Sequence, residues 1–269
     1  MRKKAVICWI LAVVITLVAA VYQRTTGPTY PKKITVSLNG KEYKFKLPRS
    51  NNVSSDCRVE LPIDDASVSG QLMYRRFPTT DKWDTLQMKK EGNIIVAALP
   101  AQAAAGKLEY FITLNDASGT KQLMQEAVVI RFKGDVPAYV LIPHIFLIFF
   151  AMLLSNVAGL MGAFKHKNAR LYTFITLGMM LVGGMIFGPI VQKFAFGEFW
   201  TGVPFGWDLT DNKTLIAFVA WIIAAIANYK KQRPGWIIFA SFITLLVFSI
   251  PHSMFGSTLN YSTGAVTQG

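Results

Sequence analysis

Five apolar runs, each close to the length that spans a bilayer, dominate this chain. A helix needs about 20 predominantly apolar residues to cross the hydrocarbon core. The first run follows "MRKK" and reads "AVICWILAVVITLVAAVY". The other four fall at 138–163, 171–192, 214–229 and 235–251. The bilayer interior offers no water to backbone N–H and C=O groups, so runs of this kind are confined to helices packed as a bundle. Composition agrees: the 269 residues are 52% hydrophobic and only 16% charged, against about a quarter charged in ordinary soluble domains.

The net charge of +13 does not point to nucleic acid. Much of it sits in short blocks beside the apolar runs, in "MRKK", "FKHKNARLY" and "NYKKQRPG". Lys and Arg in short loops stay on the cytoplasmic side. The connector "QKFAFGEFWTGVPFGWDLTDNK" is longer, mixed in charge and aromatic, and belongs outside. The predicted topology is five spans with the N-terminus in and the C-terminus out. "MRKK" before the first run marks either an uncleaved anchor or a signal peptide. The stretch 5–22 exceeds the roughly 7–15 residues of a usual signal core, which favours the anchor.

Between the first two spans the pattern changes. "KKITVSLNG" and "KEYKFKLPR" read as two strands turning at Asn39-Gly40, a strong hairpin dipeptide. Further short β-type runs follow, separated by turn residues such as those from Asp116 to Gly119. Short strands without a helical period predict an extracytoplasmic immunoglobulin-like β-sandwich. It serves either to dock a partner or as a stalk or lid on the membrane part. The expected layout is an anchor over 1–23, the β-domain over 24–136, a four-helix transmembrane domain over 137–258 and an external tail over 259–269. Cys8 and Cys57 fall in different phases, and no C-x-x-C, haem-attachment or zinc spacing occurs. No nucleophile–base set or phosphate loop is present either.

Ile-Pro-His occurs twice and carries two of the three histidines, His144 and His252. His166, between Lys165 and Lys167, reads as a solvated loop residue. His144 falls about one turn inside the outer end of the second span, and His252 closes the last. Ionisable groups in membrane segments are uncommon and usually face a bundle interior. The pair is open to two readings: interfacial imidazoles bonded to carbonyls or water, or two axial ligands of one metal centre. Gly184 and Gly188 have the spacing that lets a neighbouring helix approach. The external loop then offers Phe199, Trp200, Phe205 and Trp207 as an aromatic shelf, with Asp208 organising the loop and Asp211 or Asn212 capping the next helix.

The order of these parts resembles the cytochrome c assembly family, haem-handling membrane proteins with a tryptophan-rich "WWD" motif. "GEFWTGVPFGWDLTDNKTLIAFVAWI" is similar to that motif and the span after it, "PHSMFGS" to the family's His-Ser-x-x-Gly end, and "HIFLIFFAMLLSNVAGLMGAF" to its earlier histidine span. The resemblance covers about residues 140–258 and leaves out the first span and the β-domain. It implies haem b ligated by His144 and His252 as a bis-histidine pair. The porphyrin would rest on Phe199, Trp200, Phe205, Trp207 and Asp208. Independently of the resemblance, haem propionates call for outer-face cations, for which Lys193 and Lys213 are candidates. The resemblance also implies an assembly factor rather than a catalyst, set in the bacterial inner membrane with its β-domain in the periplasm. Partners would then be the lipid bilayer, haem, and membrane or periplasmic proteins reached through the β-sandwich. A quinol-linked haem redox subunit and a cofactor-free structural subunit are the alternatives.

Overall fold

The computed structural model describes residues 2–251 and 254–268. Helix α1 (Arg2–Thr26) leads into eleven strands. These are β1 (Lys32–Leu38), β2 (Lys41–Leu47), β3 (Ser50–Asn52), β4 (Cys57–Pro62), β5 (Ser69–Arg76), β6 (Asp84–Gln87), β7 (Lys89–Glu91), β8 (Ile94–Leu99), β9 (Lys107–Asp116), β10 (Gly119–Gln122) and β11 (Val128–Lys133). Five helices follow, α2 (Ala138–Ala163), α3 (Ala169–Met180), α4 (Gly188–Phe196), α5 (Leu209–Ala227) and α6 (Pro234–Ser249), and then a short hairpin of β12 (Ser257–Leu259) and β13 (Val266–Gln268). A π-helical stretch, Leu181–Phe187, joins α3 to α4, so that Ala169–Phe196 is one continuous rod.

Among the described residues four helices are long and apolar enough to cross a membrane: α1, α2, the rod Ala169–Phe196 and α5. The fifth apolar helix, α6, has 16 residues. At 1.5 Å per residue it reaches about 24 Å, short of a hydrocarbon core about 30 Å thick. Small residues let the bundle close. Ala217, Ala220 and Ala224 are buried along α5, and a Cβ on Gly159 of α2 would come within 2.3 Å of Ser241 Oγ on α6. Two polar pairs bridge helices inside the bundle, while Ser155 Oγ of α2 is buried with no partner among the described residues. Trp221 Nε1 donates to Thr244 Oγ1 at 2.8 Å, and Asn156 Nδ2 donates to Thr16 Oγ1 at 3.0 Å.

The β-region has two layers over one core. One layer carries the order β3-β11-β9-β5-β6, with β10 on β9; the other holds β4-β8-β7 and the β1–β2 hairpin. Alternation sets the inward face. Tyr43, Phe45 and Leu47 of β2 are buried while Glu42, Lys44 and Lys46 are exposed. The hairpin turns at Asn39 (φ 47°) and Gly40 (φ 78°), a pair of positive φ values that this dipeptide tolerates.

The two ends of the bundle differ. At one end, Trp9 of α1 packs edge-on against Tyr172, Arg170 donates to Tyr229 O, and Gln232 Nε2 donates to His166 O. The three basic segments therefore gather there. At the other end Gly134 N donates to Ala195 O, and Leu259 N donates to Ala105 O, tying α4 and the C-terminal hairpin to the β-domain. The segment expected as an external tail carries a short hairpin held against the β-domain; runs of three residues carry too little pattern to be read. His166 is also not the solvated residue expected. It is buried at the basic end, and its Nδ1 accepts from Asn168 N at 3.2 Å.

A cavity at the β-domain end of the bundle

Where α1, α2, α4 and α5 meet the β-domain they line a partly open cavity of about 420 Å³, within the usual range for small-molecule sites. Its walls are mainly apolar, with Ile148, Phe149, Val191, Phe196 and Phe248 among them. The polar groups are few: His144, Arg131, Lys213, Gln23, Gln192 and Asp208 lead them.

His144 projects from α2 with its Nδ1 2.9 Å from Gly183 O. A carbonyl only accepts, so Nδ1 carries the proton and Nε2 holds the lone pair. Among the described residues nothing else bonds the ring. The carbonyl is offered by the π-helical stretch, where the ladder of the rod is locally widened. Gly183 also lets α2 approach, since a Cβ there would sit 2.6 Å from Leu147 Cβ, one turn beyond His144. Gly184 lies against Thr214 of α5, and Gly188 faces the imidazole, its Cβ position 3.9 Å from His144 Cε1.

Carboxylates build the loop that roofs the cavity. Gly197 (φ 92°) ends α4 in a left-handed turn. Asp208 is the N-cap of α5: Oδ1 accepts from Thr210 N at 2.8 Å, and Oδ2 accepts from Ser257 Oγ at 2.9 Å. The cap was expected at Asp211 or Asn212, which instead bind backwards. Asp211 Oδ2 accepts from Thr201 N at 2.6 Å and from Gln192 Nε2 at 3.0 Å, and Asn212 Oδ1 accepts from Val203 N at 2.8 Å. Helix α5 accordingly starts right after Trp207-Asp208, five residues earlier than the hydrophobic pattern suggests. The polar residues of "LTDNKT" form its first turns because their side chains serve the loop.

Of the expected shelf, only Trp200 and Asp208 line the cavity. Phe199, Phe205 and Trp207 expose 55%, 82% and 71% of their surface. They face outward because Asp211 and Asn212 anchor the loop backbone at 201–203 and the rings ride on its far side. Lys213 Nζ lies in the cavity, donating to Ile250 O at 3.0 Å, whereas Lys193 turns out, over the Phe199 ring. His252 lies outside the described residues. Arg131 of β11 was not singled out from the sequence. It reads as one more strand residue, yet it is 7% exposed and its Nη1 has no partner among the described residues. Burial pulls its guanidinium down to about 10.

Among the described residues no group of three or more His, Cys, Asp or Glu converges on a common point. A bare-ion centre therefore has no ligand set there. A metal brought inside a porphyrin needs only one or two axial donors from the protein, which a lone imidazole with a fixed tautomer meets. Fold and site together define a helical protein able to cross a membrane, with an apolar cavity beneath a β-domain. Comparison of the chain with family models and with curated proteins finds no match.

Proposed function

We propose that this chain is an integral membrane protein that binds haem b at its extracytoplasmic face and acts in cytochrome c maturation or haem handling. The observation that carries the reading is His144, held by Gly183 O through Nδ1 with its Nε2 lone pair unclaimed, in an apolar cavity that also contains two buried cations. Bound haem supplies an iron whose ligation and potential follow its axial donors. The chain's part is to present the imidazole, exclude water with Phe149, Phe196 and Trp200, and set Arg131 and Lys213 where carboxylates need positive charge. His252 is proposed as the second axial ligand on the resemblance alone.

The gathering of basic segments at the end away from the β-domain supports a topology with the N-terminus inside and both the β-domain and the C-terminus outside, with α6 as a fifth, short span. The strand order β3-β11-β9-β5-β6 over β4-β8-β7, with β3 parallel to β11, supports an immunoglobulin-type sandwich. On the resemblance, its free face meets a membrane or periplasmic protein. A cofactor-free subunit is the second reading, and the outward Phe205 and Trp207 favour it. Titrating haem into the purified full-length chain separates the two. One equivalent taken up with a shifted Soret band supports the first reading; unperturbed free-haem absorption supports the second.

A further inference from the structure

Arg131 and Lys107 are direct cross-strand partners in the antiparallel β11–β9 pair. Like charges placed opposite one another on neighbouring strands destabilise a sheet. Both side chains are also at least nine-tenths buried, where an uncompensated charge is most costly. No described carboxylate pairs with either. Glu109, the nearest acid along β9, is bound to Arg75 at 2.5 Å. Asp208, whose charge acts favourably on Arg131, already accepts from Thr210 N, Asp211 N and Ser257 Oγ. Burial and the facing guanidinium pull the Lys107 ammonium down to about 8.

The two cations line a cleft of about 160 Å³ whose other walls include Arg49, Thr29 and Phe255. That is room for roughly five waters, or for one tetrahedral anion. Arg49 continues into a neighbouring groove beside Lys32 and Lys33. The cleft's height along the bundle is marked by α1. Val14, Leu17, Val18, Val21 and Tyr22 form its exposed apolar face, and Arg24 then stacks over Tyr30 at 5.6 Å. The apolar face ends where the cations begin; with α1 spanning a bilayer as proposed, that boundary would fall at the level of lipid headgroups.

We propose that this cleft is an anion site that takes a phosphate group, held by Arg131 and Lys107 with Arg49 at its mouth. Arg131 lines both this cleft and the larger cavity, while Lys107 and Arg49 line this cleft and not that cavity, so the haem-free chain tests the cleft apart from the haem reading. Three cations without acidic partners match the charge and the several acceptor oxygens of a phosphate, which charge-assisted donors bind best. Its position at headgroup height makes a phospholipid the expected source, with free phosphate as the other.

Calorimetric titration of the haem-free, detergent-solubilised full chain tests this at matched ionic strength. The titrants are short-chain phosphatidylglycerol, the diacylglycerol with the same tails, and inorganic phosphate. Saturable binding of phosphatidylglycerol but not diacylglycerol, weakened about tenfold or more by Arg131→Gln or Lys107→Gln, supports a lipid source. The same dependence with inorganic phosphate alone supports a free anion. Lys32→Gln should change affinity less than threefold. If Arg131→Gln does not fold, the double change Arg49→Gln with Lys107→Gln carries the test. No saturable binding of either phosphate compound overturns the proposal. So does binding that these variants leave unchanged.

Discussion

Replacing Asp208 by alanine separates the two things its carboxylate does. Oδ1 caps α5 through Thr210 N and Asp211 N, and Oδ2 holds Ser257 and with it the start of the C-terminal hairpin. Loss of an N-cap costs about 1 kcal/mol, within a range of roughly 0.5–2. A buried hydroxyl left without its acceptor costs about 1–3 kcal/mol. Ser257 Oγ keeps a weaker neighbour in Thr201 Oγ1 at 3.4 Å, so the low end applies. The expected sum for Asp208→Ala is about 1.5–3 kcal/mol, or roughly 3–12 °C in Tm. Asp208→Asn keeps an oxygen for the cap and can donate to Ser257, so it should cost about half as much or less. Thermal unfolding in detergent gives the totals. Hydrogen exchange at the Thr210 and Asp211 amides isolates the cap, which should open about tenfold more readily in Asp208→Ala. An unchanged Tm together with unchanged protection at those amides would refute the reasoning.

Trp200→Ala should lower haem affinity several-fold while Trp207→Ala changes it less than twofold, because only Trp200 lines the cavity; equal effects in a haem titration would contradict this. Burial lowers the Lys107 pKa from 10.5 to about 8, so between about pH 8 and 10.5 the unfolded chain binds the proton that the folded chain has released. The fold should gain stability from this group as pH rises through that window, by about 3 kcal/mol at most, so the wild-type-minus-Lys107→Met stability difference measured by chemical denaturation should rise across the window, and a flat difference would contradict the shift. Cysteines introduced at Asn168 should resist a membrane-impermeant reagent in intact cells, whereas cysteines in β6 should react; the reverse pattern would overturn the proposed topology.

How much the sequence reveals depends on whether a residue's role is local. The hydrophobic runs and the Asn39-Gly40 turn are local patterns, and helices and hairpin form where they lie. The start of α5 is less legible: its first turn is polar because Asp211 and Asn212 bind a loop ten residues upstream, which hydropathy cannot reveal. Trp207 shows the limit for irregular loops. Its type suggests stacking, but direction is set by backbone anchors at Thr201 and Val203, and those turn it out. His144 stands out as a lone imidazole in an apolar helix. The carbonyl that fixes its tautomer comes from a π-helical stretch of the neighbouring rod, where Gly183 packs against Leu147 of α2, and no local sequence pattern announces that contact. Arg131 leaves no signal, since a strand tolerates Arg at any outward position and only the fold shows this one covered by α4.

The central claim is that His144 gives its Nε2 to a haem iron. The direct measurement is the ferric spectrum, by absorption and electron paramagnetic resonance, of haem-loaded wild type, His144→Gly, and His144→Gly with added imidazole. Low-spin ferric haem in the wild type, high-spin or unbound haem in the variant, and return of the low-spin signal with free imidazole entering the vacated space are the predicted results. His166→Gly, at the far end of the bundle, should match the wild type. A low-spin signal that survives in His144→Gly without imidazole, or haem that never becomes low-spin in the wild type, would contradict the account.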